Sequence, residues 1–154
     1  MHEGTGLRHA DQGRAWRGLP RRAAAERAHG GADEAAKQLG DVDIIYTGPT
    51  TATAEGQIDI INSLISQKVD AIVISANDAN ALVPILKKAM KRGIKVVAFD
   101  SGVAKEGRMM QLNPSNADLI GLKQIQLASD AIGGAGQVAI LSATAQATNQ
   151  NLWI

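Results

Sequence analysis

The stretch VDAIVISANDANALVPILKKAMKRGIKVVAFDSG, from Val69 to Gly102, decides the fold. Its residues Ala71–Ile74 form a short apolar run rich in β-branched side chains, which is typical of a strand buried on both faces of a parallel sheet. Ile94–Phe99 is a second run of the same kind. Between them an apolar stripe recurs at helical spacing, formed by Leu82, Ile85, Leu86 and Ala89. The stretch therefore predicts a strand, a helix and a second strand.

Residues at the ends of this predicted helix support its limits. Asn77 and Asp78 follow the first strand, and both side chains are good acceptors for the free N–H groups of a first helical turn. Gly93 is suited to the left-handed backbone that ends a helix. A strand, a crossover helix and a parallel strand make one βαβ unit, so the carboxyl ends of both strands lie at the same edge of the sheet.

Asp100 stands at the carboxyl end of the second strand. In open α/β sheets, ligands bind outside the carboxyl ends of the strands, and a carboxylate there is a candidate ligand group. The alternative is that Asp100 only stabilises a turn in Asp100-Ser101-Gly102. The local sequence leaves both readings open.

The flanking sequence continues the alternation of helices and strands. Upstream we predict a helix end at Ala32–Gly40, a strand at Val42–Tyr46 and a helix from about Thr53 to Gln67. Downstream we predict a short strand at Arg108–Leu112, a helix to about Ile132 and a buried strand at Val138–Leu141. Such alternation predicts an α/β fold with a doubly wound parallel sheet. No strand precedes the first helix, so the first strand of the sheet is missing from the pattern.

The helix that ends near Ile132 has a predicted start. Asn113-Pro114-Ser115-Asn116 reads as a turn and cap, and Ser115 with Asp118 three residues later resembles a capping box.

Several classes of function are disfavoured by what the sequence lacks. The chain has 154 residues, a net charge of +1 and no cysteine, so it has neither disulfides nor thiolate metal sites. Its three histidines lie near the N-terminus without metal-ligand spacing. There is no Gly-x-Ser-x-Gly, phosphate loop or paired histidine and carboxylate, and the glycines at 133, 134 and 136 precede a strand, whereas a dinucleotide fingerprint follows one. We expect no catalytic residues, no metal and no cofactor.

Residues Met1–Gly31 differ in composition from the rest of the chain. Their basic residues are arginines only, whereas lysine dominates from Ala32 onward. The segment lacks the apolar core of a secretory signal, and no apolar run in the chain is as long as a membrane-spanning helix. A basic arm for nucleic acid is disfavoured because no helix-turn-helix pattern follows. We expect an irregular or loosely helical segment, and our hypothesis is that it is read from a miscalled or out-of-frame start.

Small polar residues follow four of the predicted strands, those at 42–46, 71–74, 94–99 and 138–141. Since these strands are parallel, the residues are expected to converge on one rim, where amides and carboxylates can bind vicinal hydroxyl groups and reject ligands without them. The residues are Thr47, Thr50, Asn77, Asp78, Asp100, Ser101, Asn149 and Gln150.

A family resemblance rests on six motifs in a fixed order. They are Tyr46-Thr47-Gly48-Pro49, Ala54-Glu55-Gly56-Gln57, Ile74-Ser75-Ala76-Asn77-Asp78, LKKAMKRG from Leu86 to Gly93, Phe99-Asp100-Ser101, and ATNQNLW from Ala147 to Trp153. From about Ala32 to Ile154 the chain resembles the type I periplasmic sugar-binding proteins of ABC importers, in the branch that binds rhamnose, related sugars or autoinducer-2.

The resemblance implies two α/β lobes that close on a monosaccharide. Asp100 matches the ligand aspartate of the first lobe, and Asn149 and Gln150 match an Asp/Asn-Gln pair of the second. Asn77 and Asn113 complete the expected ligand-binding set. The implied lobes are residues 32–112 and the start of a second lobe at 113–154. The implied protein is a periplasmic monomer that delivers its sugar to an importer permease and binds no nucleic acid.

The chain departs from the family pattern in its export signal, in the first strand and in most of the second lobe. We therefore expect that the chain as written is an incomplete fragment and does not form a stable ligand-binding protein. Two alternatives share the fold class. The effector domain of a LacI-type regulator would need a helix-turn-helix, and a nucleotide-dependent Rossmann enzyme would need the glycine fingerprint.

Overall fold

The computed structural model describes residues 21–154, with side chains from residue 28 onward. The described chain divides into two compact units on either side of the bond between Tyr46 and Thr47. Among the described residues, no helix is both long and apolar enough to cross a membrane.

The first unit contains one long helix, α1, at Arg21–Leu39. Gly40 follows it with a φ of +83°, and its N–H donates to the Ala36 carbonyl at 2.9 Å. The left-handed backbone of this glycine ends the helix. The helix includes residues 21–31 of the segment expected to be irregular or loosely helical, and residues 1–20 lie outside the described chain.

The predicted strand at Val42–Tyr46 is wrong, because these residues form no strand. Ile45 is 58% exposed and Tyr46 is 52% exposed, so the apolar run is not buried. A strand exists only where a neighbouring backbone accepts and donates its ladder hydrogen bonds, and the described part of this unit contains a helix instead. Within the unit, the Tyr46 ring stacks on His29 with centroids 4.2 Å apart.

The second unit is built on a parallel sheet. Its strands are β1 at Ala71–Ile74, β2 at Lys95–Phe99 and β3 at Met110–Leu112, in the order β1-β2-β3. Ile72 lies opposite Val96, and Ala98 lies opposite Gln111. The predicted α/β class with a parallel sheet is confirmed, and all three carboxyl ends lie at one edge.

Helix α2, at Ala54–Gln67, begins and ends through local backbone chemistry. The Thr53 hydroxyl oxygen accepts the N–H of Gly56 at 3.1 Å and caps the first turn. At the other end Lys68 has a φ of +60°, and its N–H donates to the Ile65 carbonyl at 3.2 Å. A lysine thus adopts the left-handed backbone conformation that glycine usually adopts at the end of a helix.

Helix α3, at Val83–Lys91, begins later than predicted. Asp78 caps the preceding turn instead of the helix, since its Oδ1 accepts the N–H groups of Asn80 and Ala81 at 2.8 Å each. Asn77 caps neither. Pro84 lies in the first helical turn, where its missing N–H costs least, and Gly93 follows the helix with a φ of +88°.

The core of this unit lies between the sheet and helices α2 and α3. The side chains of Leu82, Leu86 and Val96 are fully buried, and Ile61 of α2 is 2% exposed. A short 3-10 turn at Lys105–Gly107 packs on α3. The apolar stripe of the opening stretch therefore faces the sheet, as its spacing indicates.

The remaining chain forms α4 at Ala117–Ala131 and α5 at Thr148–Trp153. Asn116, not Ser115, caps α4, because its Oδ1 accepts the Leu119 N–H at 3.1 Å. Helix α5 packs on α4 so closely that a Cβ at Gly121 would overlap the Trp153 carbonyl. None of the α4 side chains is buried.

The predicted strand at Val138–Leu141 is also wrong. These residues have no regular structure, and Leu141 is 98% exposed. The described chain supplies no further strand beside them, so their β-branched side chains have no ladder to join. A groove of about 300 Å³ lies between this segment, α4 and Trp153.

Candidate functional site

Asp100 follows β2 directly and has an unusual backbone. Its φ is +53°, in the left-handed region that L-residues other than asparagine and aspartate rarely adopt. The Asp100 N–H donates to the Leu112 carbonyl at 3.0 Å, which ties the turn to the end of β3. The strand ends therefore hold a carboxylate at the edge of the sheet in a backbone conformation that costs free energy, as functional residues often do.

Asn149, in the first turn of α5, contacts Asp100 directly. Its Nδ2 lies 3.3 Å from both carboxylate oxygens, and both residues are partly buried. The Asn149 Oδ1 in turn accepts the N–H of Gln150 at 2.9 Å. The structure thus brings together two of the predicted ligand residues that are 49 positions apart in the sequence.

Gln150 is adjacent to this pair, but its side chain binds the loop before α5 and not Asp100. The Gln150 Oε1 accepts the Ser142 hydroxyl at 2.9 Å and the Ala143 N–H at 2.7 Å. These bonds connect the start of α5 to the segment after Leu141. They hold residues 142 and 143 close to the start of α5, and both of them use the Gln150 Oε1 as acceptor.

Asn77 lies after β1, one strand away from Asp100. Its N–H donates to the Gln57 Oε1 at 2.8 Å, and its Nδ2 donates to the Thr53 carbonyl at 3.1 Å. The neighbouring Ala76 N–H donates to the carbonyl of the buried Ser101 at 2.8 Å. Asn77 is therefore linked through the backbone to the residue after Asp100, although no hydrogen bond joins their side chains.

Asn113 is exposed at the end of β3. Its Oδ1 accepts the Gln111 Nε2 at 3.1 Å, and no hydrogen bond joins its side chain to Asp100 or Asn149. Gln111 was not among the predicted residues. Its Oε1 is buried without a hydrogen-bond partner in the described chain, and a Cβ at Gly102 would lie 2.8 Å from it. Glycine at position 102 is what lets the Gln111 amide approach the turn after Asp100.

Gln57 was also not among the ligand residues predicted from the sequence. It lies on α2, and both atoms of its amide bind the backbone after β1, since its Nε2 also donates to the Ser75 carbonyl at 2.8 Å. Its motif, Ala54-Glu55-Gly56-Gln57, was noted only as a part of the resemblance. A polar residue in the first turn of a helix that packs beside a strand end was the available signal.

Two carboxylates, those of Asp78 and Asp100, follow strands at this edge. The N–H groups of Ala81 and Asn80 hold the pKa of the Asp78 carboxyl below its usual value, because they bind its charged form. In the described chain no three His, Asp or Glu side chains are grouped so as to hold a metal ion. The edge offers carboxylate oxygens as acceptors beside amides, a combination that suits neutral ligands rich in hydroxyl groups.

Comparison with known proteins supplies the family context. Residues 23–154 match the model of a periplasmic binding protein domain. The fold is similar to that of an ABC transporter solute binding protein from Clostridium phytofermentas with bound L-rhamnose, with 42% identity and a TM-score of 0.69. That match covers 71% of this chain and 34% of the solved chain.

Two further solved structures bind other small molecules. A solute binding protein from Burkholderia graminis in complex with D-arabinose is 32% identical, with a TM-score of 0.76 over 88% of this chain and 45% of its own. LsrB from Clostridium saccharobutylicum in complex with AI-2 is 27% identical, with a TM-score of 0.75 over 85% of this chain and 42% of its own. This chain thus spans less than half the length of each of these three proteins.

Proposed function

Because this chain belongs to the periplasmic binding protein family, we propose that it is the substrate-binding component of an ABC sugar importer. The observation that carries the proposal is the contact between Asp100 and Asn149 at the carboxyl edge of the sheet. A carboxylate that accepts two hydrogen bonds, beside an amide that can both donate and accept, matches the pattern of two neighbouring hydroxyl groups.

The proposed ligand is a monosaccharide such as rhamnose, or the sugar-like autoinducer-2. Solved relatives with L-rhamnose, D-arabinose and AI-2 support this class of ligand. The Asp100 carboxylate at this edge also favours neutral polyhydroxyl compounds over phosphates or carboxylates, which its charge would repel. Asn77, Asn113 and Gln150 are proposed to complete the ligand-binding set around the central pair.

The proposed protein is not an enzyme, works in the periplasm as a monomer and passes its sugar to a permease. The family model, described as a periplasmic binding protein domain, supports the location, and the two ABC transporter solute binding proteins named above support the transport role. Nucleic acid is not a proposed partner. The first lobe is proposed to comprise residues 32–112, and residues 113–154 are proposed to begin a second lobe.

The test is calorimetric titration of two proteins with L-rhamnose, D-arabinose and D-ribose. One is the chain alone, and the other continues the chain at Ile154 with the remaining second-lobe residues of the rhamnose-binding relative. We expect the extended protein to bind L-rhamnose far more tightly than the chain alone, since a sugar held between two lobes needs both. A folded extended protein that binds none of the three sugars would rule the proposal out.

A further inference from the structure

We propose that Gln57 is a positioning residue of the ligand edge, which sets the backbone from Ser75 to Asn77 so that Asn77 can contact a sugar. The proposal rests on the sugar-binding function proposed above and extends it to a side chain on helix α2. Gln57 itself is not proposed to touch the ligand.

The amide of Gln57 acts as a substitute for the peptide group of a neighbouring strand. In a parallel sheet, one residue of the adjacent strand donates to a carbonyl and accepts from the N–H two residues farther along. Gln57 does the same with its side chain, donating to the Ser75 carbonyl and accepting from the Asn77 N–H, both at 2.8 Å. In the sheet of the second unit β1 is an edge strand, so this side chain continues the ladder where strand pairing stops.

The intervening residue faces the opposite way. Ala76 is buried, and its N–H donates to the Ser101 carbonyl at 2.8 Å, on the β2 side of the segment. The residues after β1 thus keep the alternation of a paired strand, with Gln57 on one side and Ser101 on the other. Because Ser101 follows Asp100 directly, a shift of this segment would also disturb the turn that presents the Asp100 carboxylate.

The start of α2 is itself held firmly. Thr53 caps the helix through Gly56, and its carbonyl accepts the Asn77 Nδ2 at 3.1 Å. Pro49 packs so near that a Cβ at Gly56 would lie 2.6 Å from the proline Cβ. The start of α2 therefore binds both the backbone of Asn77, through Gln57, and its side chain, through Thr53.

These contacts leave an acceptor of Asn77 available to a ligand. One N–H of its Nδ2 donates to the Thr53 carbonyl, and its Oδ1 has no hydrogen-bond partner among the described residues. The Oδ1 can accept from a sugar hydroxyl, and the second N–H of the amide can still donate. Thr53 thus orients the Asn77 amide, while Gln57 holds the Asn77 backbone.

The test uses ¹⁵N-labelled chain and three variants, Gln57→Leu, Gln57→Glu and the control Gln67→Leu. Gln67 lies in the last turn of the same helix and bonds only to Ser63, on an exposed face. We expect Gln57→Leu to speed hydrogen exchange of the Asn77 amide by about tenfold or more, since a partly buried hydrogen bond is lost. The amides of β2 should keep their protection in this variant, and Gln67→Leu should match the wild type throughout.

Gln57→Glu separates positioning from simple packing. At neutral pH its carboxylate still accepts the Asn77 N–H but repels the Ser75 carbonyl, so protection at Asn77 should fall. Below the usual glutamate pKa of about 4.3 the protonated carboxyl donates again, and protection should return relative to wild type at the same pH. A packing role alone predicts no such reversal.

Three results would overturn the proposal. They are unchanged Asn77 exchange in Gln57→Leu, equal loss of protection across β2, and no pH reversal in Gln57→Glu. A separate arm adds L-rhamnose at millimolar concentration to the extended protein, in which the amide shifts at Asn77 and Asp100 should weaken with Gln57→Leu and persist with Gln67→Leu. If the unsubstituted extended protein shows no shift, the sugar-binding function loses support, and the exchange data alone decide the role of Gln57.

Discussion

The conformation of Asp100 is a feature at the scale of one residue. A left-handed backbone costs most L-residues about 1–2 kcal/mol and costs aspartate less. Here it turns the chain back toward the end of β3, where the Asp100 N–H donates to the Leu112 carbonyl. The sequence left open whether Asp100 is a turn residue or a ligand residue. The structure shows that Asp100 forms the turn and also contacts Asn149, and its role as a ligand residue stays a prediction.

Replacing Asp100 should weaken sugar binding with little harm to the fold. In the extended protein described above, Asp100→Gly removes the carboxylate and suits the positive φ. Loss of a charge-assisted hydrogen bond should cost about 1.5–3 kcal/mol, or about tenfold to a hundredfold in affinity. Calorimetry with L-rhamnose measures this, and Asp100→Ala with its strained backbone is the comparison. Unchanged affinity in both variants would leave Asp100 as a turn residue only.

Asp78 should contribute stability that depends on pH. The N–H groups of Ala81 and Asn80 hold its pKa below the usual value, so the folded state binds the proton less readily than the unfolded chain. This stability is present above the unfolded pKa near 4 and is lost as the pH falls through the lower folded value. In Asp78→Asn the acceptor stays while the charge is gone, so urea unfolding between pH 5 and about 3 should show a shallower decline. Asp59→Asn, on the exposed side of α2, is the matched control.

At the scale of elements, local patterns were sufficient where they could be satisfied by near neighbours in the chain. Helix α2, helix α3 and strands β1 and β2 were predicted to within a few residues, because β1, α3 and β2 form one βαβ unit and α2 packs against the same core. Val42–Tyr46 and Val138–Leu141 have the same β-rich composition, yet neither is a strand. A strand is defined by its partner, and composition carries no information about whether that partner is present.

Side-chain details of the site were predicted unevenly for a related reason. Asp100 and Asn149 were selected as polar residues that follow predicted strands and also because they match the family motif, and they meet in the structure. Gln57 acts from a helix, and Gln111 acts from a strand interior, where polar residues read as ordinary surface. Their roles depend on the distance to a neighbouring element, which a linear pattern does not give.

The two helix ends that lead into strands offer a matched pair of substitutions. Lys68 and Gly93 both have positive φ, +60° and +88°, after α2 and α3. Lys68→Gly should stabilise the fold by about 1 kcal/mol, because it removes the strain of a side chain in the left-handed region. Gly93→Ala should destabilise it by about the same amount. Urea unfolding of both variants measures the difference, and equal effects of the same sign would contradict this account of the helix ends.

At the scale of the whole molecule, burial is uneven. Helices α2 and α3 and strands β1 and β2 share one apolar core, whereas α4 exposes Leu119, Leu122 and Ile125. The expectation that the chain does not form a stable ligand-binding protein stays a prediction. The observed core limits this prediction to one part of the chain. Residues 54–112 bury the apolar side chains that form the core, whereas residues 117–154 bury almost no apolar side chains.

Two leucines test where the stability resides. Leu86 of α3 is fully buried, and Leu86→Ala should cost about 2–5 kcal/mol through lost burial and the cavity left behind. Leu122 of α4 is 62% exposed, and Leu122→Ala should change the free energy of unfolding by less than about 0.5 kcal/mol. Urea denaturation followed by circular dichroism compares them. A large loss for Leu122 would mean that α4 is covered in solution.

The contact between Asp100 and Asn149 places a tethered competitor inside the site. The folded chain between the two residues holds the Asn149 amide beside the carboxylate, so this contact is intramolecular. A compound with a single hydroxyl must displace that amide from the carboxylate, so it replaces one hydrogen bond by another with little net gain in free energy. A compound with two adjacent hydroxyls can bind Asp100 and Asn149 together and replaces one contact by two. From the proposed function we therefore expect selection by hydroxyl spacing, so that a deoxy sugar lacking one of the pair binds the extended protein about tenfold or more weakly in calorimetry.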